Sequence, residues 1–377
     1  MAIRGIGVLA AQSDENIPIL RKDRSFQTAK FAGFRWVRFN PDVGMLGSGG
    51  PGLVAIPLWV ELDRHIERCR RYDFNILLTL AVPPSNGDWE SVFDAGVFTW
   101  APADEAPVIF LYKQIISRIL NDNGWPADRL AVEVANEASR PLNGGDPTLD
   151  GKIEETYQAS LGVIIQALKE YFPNVRFLSH AMSFPMYADD MVNPWSIELG
   201  WLLTASLVPD IILHADIINV HIYYDRVKYR YLLSWDEYRA RVVWLFDQFI
   251  EFWQSVGVFG SPVLQKPIWI TEHGTTFLNT GMNQDLWKWG NEDTIAMHRV
   301  AAFDALCQHP RADAVFYYNA MNELEEDDAR DENNFGLLRY DGSYTTSYLL
   351  MGNANGVVDP QLPAGSTPAE DLPISGY

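Results

Sequence analysis

Cysteine and histidine are both scarce in this sequence of 377 residues. Only Cys69 and Cys307 are present, so a disulfide framework and a cysteine-based metal cluster are excluded by count. Both lie in helical patterns, where a thiol packs as a small apolar group. The seven histidines form no paired motif of the kind that metal-dependent hydrolases use. We therefore expect two buried thiols and no resident metal.

Positive charge is also in short supply. The chain has 29 Lys and Arg against 49 Asp and Glu, a formal net charge of −20. Nucleic acids and anionic membrane surfaces attract clusters of Lys and Arg, so we expect neither as a partner. No run reaches the roughly 18 apolar residues of a membrane span. The N-terminus has no secretory apolar region, which predicts a cytoplasmic protein, or a secreted one if a signal peptide was removed. The oligomeric state stays open.

Cofactor-binding motifs are missing as well. Gly47–Gly52 matches G-x-G-x-x-G in its letters, but it does not join a strand directly to a helix. No phosphate-binding loop, nucleophile elbow or H-E-x-x-H motif is present. The acidic segment 323–332 has carboxylates suited to calcium but lacks EF-hand spacing, so a solvated loop is the expected reading. We predict no cofactor.

The sequence does contain a regular alternation of short apolar runs and longer amphipathic segments. Eight runs are typical of strands buried on both faces: Ile3–Val8, Phe34–Asn40, Asn75–Leu80, Leu130–Ala135, Arg176–Ala181, Ile217–Tyr223, Pro267–Thr271 and Ala314–Tyr318. The intervening helix candidates are Phe26–Phe34, Leu58–Tyr72, Val108–Asn121, Lys152–Tyr171, Pro194–His214, Asp236–Val256 and Asp293–Cys307. This order predicts a single-domain α/β fold, a (β/α)8 TIM barrel over residues 1–352, with a poorly ordered tail at 353–377. A doubly wound open sheet is the alternative.

Long segments tend to follow the predicted strands rather than precede them. They are 41–57, 83–107, 138–151, 275–292 and 322–334. In a barrel these segments are the βα loops, which lie at the face where active sites form. Several of the 13 tryptophans fall in them, and sugar rings stack on aromatic planes. We select Trp89 and Trp289 as candidate substrate-binding residues in an open, endo-acting cleft; packing of the loops onto the barrel is the ordinary alternative.

Two predicted strands end abruptly in a glutamate. The fourth strand leads into Asn136 and Glu137, and the seventh strand leads into Glu272. A carboxylate next to a buried strand is costly unless it faces a polar cavity, and in a barrel that cavity is the catalytic mouth. Hydrolysis of a glycosidic bond needs two carboxyl groups, about 5–5.5 Å apart for retention of configuration and about 6.5–9.5 Å for inversion. The pair therefore predicts glycoside hydrolysis.

Other polar residues stand at the ends of neighbouring predicted strands. Arg38 lies near the end of the second strand. His221 and Tyr223 are two residues apart in the sixth strand and therefore share a face. Each has an ordinary alternative: Arg38 as a buried ion pair and His221 as a satisfied core histidine.

These strand ends resemble the clan of retaining barrel glycoside hydrolases that includes families 5 and 39. The resemblance implies that Glu137 is the general acid/base, that Glu272 is the nucleophile and that Asn136 binds the sugar 2-hydroxyl. The implied reaction is cleavage of a β-linked oligo- or polysaccharide with retention, by double displacement. A transglycosylase using the same site and a catalytically silent carbohydrate-binding barrel are the alternatives.

The resemblance extends from the second to the eighth strand. The clan places an Arg beside the nucleophile, which Arg38 matches, and a His-x-Tyr motif, which His221 and Tyr223 match. There the histidine would bind substrate and the tyrosine hydroxyl would hold the nucleophile. The clan often ends the eighth strand with Trp, whereas this chain has Tyr318 and Asn319, to which we assign the same sugar-binding place. The segment after the third strand looks more like family 39 than family 5, and the exact family stays open.

Overall fold

The computed structural model describes residues 2–11, 18–41, 56–80, 105–135, 160–183, 214–223, 235–255, 265–274, 292–322, 336–339 and 341–357. Within these ranges, parallel strands alternate with helices along the chain. The strands are β1 (Ile3–Gly7), β2 (Trp36–Phe39), β3 (Asn75–Thr79), β4 (Leu130–Glu133), β5 (Arg176–Leu178), β6 (Met182–Ser183), β7 (Ile218–Tyr223), β8 (Ile268–Gly274) and β9 (Ala314–Tyr317). The helices are α1 (Ile19–Phe31), α2 (Ile56–Tyr72), α3 (Glu105–Ser117), α4 (160–171), α5 (Trp235–Ser255), α6 (Glu292–Gln308) and α7 (Thr346–Ala354).

The strands form one sheet, in the order β5-β4-β3-β2-β1-β9-β8-β7-β6, and a parallel bridge between Leu178 and Ile217 nearly closes it into a barrel. β5 pairs with β4 and β6 pairs with β7, so the two are halves of one barrel strand. Between them, Ser179 N–H donates to the carbonyl of Ile217, and Ala181 N–H donates to that of Ala135. The nine segments are therefore eight barrel strands, and β7, β8 and β9 are the sixth, seventh and eighth. The predicted TIM barrel is confirmed, and the open sheet is wrong.

Helix α1 begins at Ile19, seven residues before the predicted start at Phe26. The sequence of its first turns lacks a clear amphipathic pattern because one of the residues that face the core is a lysine. Lys22 is fully buried, and its Nζ lies 2.7 Å from Oε2 of Glu61 on α2. A buried charge is tolerated when it is paired in this way. The helix ends before Gly33, which has a positive φ of 82° that glycine adopts without strain.

The C-terminal part of the barrel contains a helix that was not predicted. Helix α7 runs through Ala354, so the domain boundary drawn at residue 352 falls inside it. Asn355 then donates from Nδ2 to the carbonyl of Ala32, 2.7 Å away, which fastens the end of α7 to the end of α1. Residues 358–377 lie outside the described residues, as do most of the predicted βα loops and all of the predicted helix Pro194–His214 except its last residue.

The inside of the barrel is built in two layers. The lower layer is apolar and consists of Trp36, Leu77, Ala131, Leu178, Ile217, Trp269, Ala314 and Phe316. The guanidinium of Arg176 lies over the rings of Trp36 and Trp269, at 5.1 and 5.2 Å from their centroids. Because side chains alternate along a strand, the next inward position lies two residues further on. On β2, β3, β4, β7 and β8 that position is polar: Arg38, Thr79, Glu133, Asn219 and Thr271. An apolar floor thus supports a polar layer towards the carboxyl ends of the strands.

Outside the barrel, the helices pack on the opposite faces of the strands through the largest apolar cluster of the described residues. Cys69 and Cys307 are both buried free thiols in this region, as predicted, and burial raises the pKa of each. Within the described residues, no helix combines the length and the apolar character needed to cross a membrane.

Gly5 is required by the packing of the barrel floor, and this can be tested. A Cβ at Gly5 would overlap Cδ1 and Cε1 of Phe316. We expect Gly5→Ala to lower the free energy of unfolding by about 1–3 kcal/mol, the usual cost of overpacking a core. Combining it with Phe316→Leu should recover part of this loss in urea denaturation.

The matched control is Gly7→Ala on the same strand, where the nearest atom to a new Cβ would be 3.6 Å away. That distance is ordinary contact, so the control should change stability little. Equal destabilisation by the two substitutions would contradict the assignment of the packing role to Gly5.

Candidate active site

A β-bulge in β8 changes which of its residues face the barrel interior. On the β7 side, Val220 pairs with Ile270 and the next residue, His221, pairs with Glu272, so Thr271 is the extra residue. The β9 side shows the same irregularity between Ile270 and His273. A bulge of this kind shifts the alternation of side chains by one position.

As a result, Thr271 and Glu272 both face inward. Strict alternation would have turned Glu272 outward together with Ile268 and Ile270, which belong to the outer core. The prediction that the strand ends at Thr271 was wrong, because β8 continues to Gly274 and includes the glutamate. Glu272 is 8% exposed, so its carboxylate depends on partners inside the barrel.

Arg38 provides the charged partner, and His221 lies beside the same carboxylate. Nη1 of Arg38 lies 2.6 Å from Oε1 of Glu272, a charge-assisted hydrogen bond between two buried groups. Nδ1 of His221 lies 3.4 Å from the other carboxylate oxygen, Oε2. The structure therefore brings together three of the predicted site residues, which come from β2, β7 and β8.

A second carboxylate, Glu133 on β4, completes this cluster and was missed by the sequence analysis. Glu133 is fully buried, and its Oε2 accepts hydrogen bonds from Nε of Arg38 at 3.0 Å and from Oγ1 of Thr79 at 3.1 Å. Its Oε1 lies 3.3 Å from Nη2 of Arg38 and 3.9 Å from Nε2 of His221. The available signal was a glutamate within the apolar run Leu130–Ala135, at the inward position two residues after Ala131.

A chain of hydrogen bonds orients His221. Its Nε2 lies 3.1 Å from Oγ1 of Thr271, and this hydroxyl donates to Oδ1 of Asn219 at 2.6 Å. Because a hydroxyl has a single hydrogen, the oxygen of Thr271 accepts from Nε2–H of the histidine. The imidazole is thus fixed with its Nδ1 towards Glu272. The bulge thus turns two consecutive residues inward: Thr271 binds His221, and Glu272 places its carboxylate beside the same histidine.

The remaining predicted residues fall into two groups. Asn136, Glu137, Trp89 and Trp289 lie outside the described residues. Tyr223 is the last residue of β7, and only its backbone is described.

Tyr318 and Asn319 directly follow β9, which ends at Tyr317, one residue before the predicted end of the strand. The N–H of Tyr318 donates to the carbonyl of His273 at 2.9 Å, and its side chain is half-buried. Asn319 is 3% exposed, and its Oδ1 accepts the N–H of Ala320 at 2.5 Å. Both residues therefore stand at the carboxyl end of the strand beside β8, where the polar layer of the barrel opens.

Two further histidines near the carboxyl ends of the strands are kept neutral by burial. Desolvation lowers the pKa of His273 to about 4 and that of His180 to about 4. Nδ1 of His273 lies 2.9 Å from the carbonyl of Ile222, whereas neither ring nitrogen of His180 has a hydrogen-bond partner in the described part of the chain. In the helix layer, burial likewise lowers the pKa of His65 to about 3.

Comparisons with known proteins concern the fold of the chain. No protein-family model matches the chain, and no curated protein matches it. Among solved structures, a GH5_18 protein from Bifidobacterium longum subsp. infantis has a TM-score of 0.65 at 12% identity, covering 94% of this chain and 78% of the other. A GH5_18 variant from Streptomyces cattleya, in complex with Manβ1-4GlcNAc, has a TM-score of 0.64 at 14% identity, with coverages of 96% and 83%.

A family 39 glycoside hydrolase from the gut symbiont Bacteroides cellulosilyticus WH2 has a TM-score of 0.56 at 15% identity, covering 94% of this chain and 63% of the other. At such low identities the likeness concerns the fold. The chain has the (β/α)8 barrel fold of glycoside hydrolases of the GH5_18 and GH39 groups, with a buried Arg–Glu–His cluster in its interior.

The buried histidines predict how stability depends on pH. An unfolded histidine has a pKa near 6.5. Between that pH and about 4, the unfolded chain binds more protons at these positions than the folded protein does, so stability falls as the pH falls through this window. Each such proton contributes a slope of about 1.4 kcal/mol per pH unit.

Urea denaturation between pH 7 and 4.5 measures this slope. His180→Leu removes one titrating group whose nitrogens have no partner in the described structure. We therefore expect the free energy of unfolding of this variant to fall less steeply with decreasing pH, by up to the contribution of one proton. A variant that loses stability as steeply as the wild-type protein on acidification would contradict the assignment of a neutral, buried His180.

Proposed function

We propose that this protein is a retaining β-glycoside hydrolase with Glu272 as its nucleophile and Glu137 as its general acid/base. The proposal rests on one observation: the bulge in β8 turns Glu272 into the barrel, where Arg38 contacts one of its oxygens at 2.6 Å and His221 lies 3.4 Å from the other. A guanidinium next to a carboxylate favours its charged form, and only the charged form can attack a sugar.

The reaction then proceeds in two displacements. A carboxylate oxygen of Glu272 forms a bond with the anomeric carbon while the glycosidic bond breaks, and the leaving oxygen takes the proton of Glu137. Water next attacks the anomeric carbon of the glycosyl ester and releases the carboxylate of Glu272. Glu137 takes a proton from that water and returns to its acid form. Two inversions give net retention.

The substrate we propose is a β-linked oligo- or polysaccharide. Solved structures with the same fold are glycoside hydrolases, and one of them holds Manβ1-4GlcNAc, which makes β-mannosides the first substrates to test. Asn136 would bind the sugar 2-hydroxyl, and Tyr223 would hold the nucleophile. Tyr318, Asn319, Trp89 and Trp289 would line the sugar subsites, with the two tryptophans giving an endo-acting cleft. No cofactor takes part in this chemistry.

The test is an activity screen on β-mannans, β-glucans, xylans and galactans together with the corresponding aryl glycosides, with the product anomer followed by NMR. We expect a product of retained configuration. Glu272→Gln should lower kcat by about 10⁴-fold or more, because it removes the nucleophile. Glu137→Gln should lower it by about 10²–10⁴-fold on poor leaving groups, as expected for a general acid.

The outcomes distinguish the alternatives. An inverted product would contradict double displacement. Binding of these sugars without turnover by the wild-type protein would favour a carbohydrate-binding barrel, and transfer to added sugar acceptors in preference to water would favour a transglycosylase. Comparing the release of short oligosaccharides with that of single sugars from a polymer tests endo action.

A further inference from the structure

We infer that Glu133 is a positioning residue for the proposed reaction: it fixes the guanidinium of Arg38 at the nucleophile Glu272. This inference rests on the proposed function. It concerns a residue that does not touch the reacting atoms and acts through Arg38.

The geometry divides the guanidinium between two carboxylates. The edge formed by Nε and Nη2 faces Glu133, at 3.0 and 3.3 Å, and the remaining nitrogen, Nη1, faces Glu272 at 2.6 Å. A guanidinium is planar, so holding two nitrogens on one side determines where the third lies. Glu133 therefore sets the direction from which Arg38 approaches the nucleophile.

Glu133 is itself held in place. Oγ1 of Thr79 donates to its Oε2 at 3.1 Å. The carboxylate is fully buried, Thr79 and Glu133 are register partners on β3 and β4, and Arg38 comes from the adjacent strand β2. Its surroundings therefore restrict its motion, as positioning requires.

Glu133 also affects the electrostatic potential at Glu272. One guanidinium serves two carboxylates, so Glu133 offsets part of the positive potential of Arg38. A nucleophile needs to be ionised, yet a cation that binds it alone would also stabilise the ground state from which it attacks. Because Arg38 interacts with both carboxylates, it keeps Glu272 charged, while part of its electrostatic attraction acts on Glu133.

A purely structural role makes a different prediction from a positioning role. If Glu133 served only to fill the interior, the isosteric Glu133→Gln would be the milder change and Glu133→Asp, which leaves a cavity, the more severe. If the negative charge and its acceptor oxygens hold Arg38, Glu133→Gln should be the more damaging, because its NH2 group faces guanidinium donors. Glu133→Asp keeps the charge and should recover activity in part.

The experiment uses 2,4-dinitrophenyl β-mannoside or β-glucoside, whichever the wild-type enzyme cleaves. This leaving group departs without a proton, so the rate of the first displacement depends on Glu272 and not on Glu137. We expect Glu133→Gln to lower kcat/KM by about 10²-fold, the usual consequence of misplacing a reacting group, and Glu133→Asp to lower it by about 10-fold. The first displacement is followed directly as the pre-steady-state release of 2,4-dinitrophenolate, and its rate constant should fall while substrate binding changes less.

One control and a second test variant separate positioning from a general loss of stability. Glu61→Gln breaks another buried ion pair, between Lys22 and Glu61 on α1 and α2, and should keep wild-type kcat/KM in the folded protein. Thr79→Val removes the hydroxyl that holds Glu133 and adds no charge. We expect it to lower kcat/KM by about 3–10-fold, since one supporting hydrogen bond is lost. Circular dichroism and thermal unfolding give the folded fraction of each variant.

Each outcome decides the question. Activity in the order wild type, Glu133→Asp, Glu133→Gln supports the inference, and the reverse order of the two variants, or wild-type activity in Glu133→Gln, overturns it. Should Glu133→Gln not fold, Thr79→Val decides, and unchanged kcat/KM in that variant overturns the inference. A wild-type protein that cleaves no β-glycoside overturns the proposed function, and the inference with it, whereas an active wild type with unaffected variants overturns the inference alone.

Discussion

The site depends on one buried cation. Arg38 reaches Glu133 and Glu272 from the second barrel strand, and all three groups lie inside the barrel. A buried carboxylate without a partner is strongly destabilising, and removing one member of a buried ion pair commonly costs about 3–5 kcal/mol. The guanidinium therefore makes it possible to keep two charged carboxylates in the barrel interior. Every other feature of the site is arranged around this requirement.

The barrel meets that requirement through its layers. The apolar floor that includes Trp36 and Trp269 fills the amino-terminal part of the interior, and the polar residues stand above it. The regular alternation of side chains along β2 and β4 places Arg38 and Glu133 in that polar layer without a β-bulge. Glu272 has the wrong parity for an inward position, and the bulge at Thr271 corrects it. The irregularity in β8 is thus part of the site, consistent with the tendency of bulges to occur near active sites.

The sequence predicted much of this arrangement. Apolar runs that end in polar residues predicted the barrel, because parallel strands bring their carboxyl ends to one face. The family resemblance placed Arg38 beside Glu272, whereas His221 was expected to bind substrate. The sequence did not predict the bulge, which depends on the register of β8 against two neighbours that are distant along the chain. Glu133 was missed because it was counted only as part of the apolar run Leu130–Ala135. Its position two residues after Ala131 makes it face inward, and a buried charge there needs a partner.

The helix errors have a similar origin. Helix α1 was placed too late because the core-facing Lys22 obscured the amphipathic pattern, and the pairing of Lys22 with Glu61 is a tertiary contact. In these cases a polar side chain is stabilised inside the protein by a partner from another element. Apolar periodicity does not reveal such positions, since the pattern counts the charged residue as exposed.

The most direct test of the central claim is to trap the covalent intermediate. Incubation with a 2-deoxy-2-fluoro-β-glycosyl fluoride slows both displacements, and the good leaving group lets the glycosyl ester accumulate. Proteolysis and mass spectrometry then locate the label. Glu272 as the nucleophile predicts a single glycosyl ester on Glu272, and no such ester in Glu272→Gln. A label on any other carboxylate, including Glu133, would contradict it.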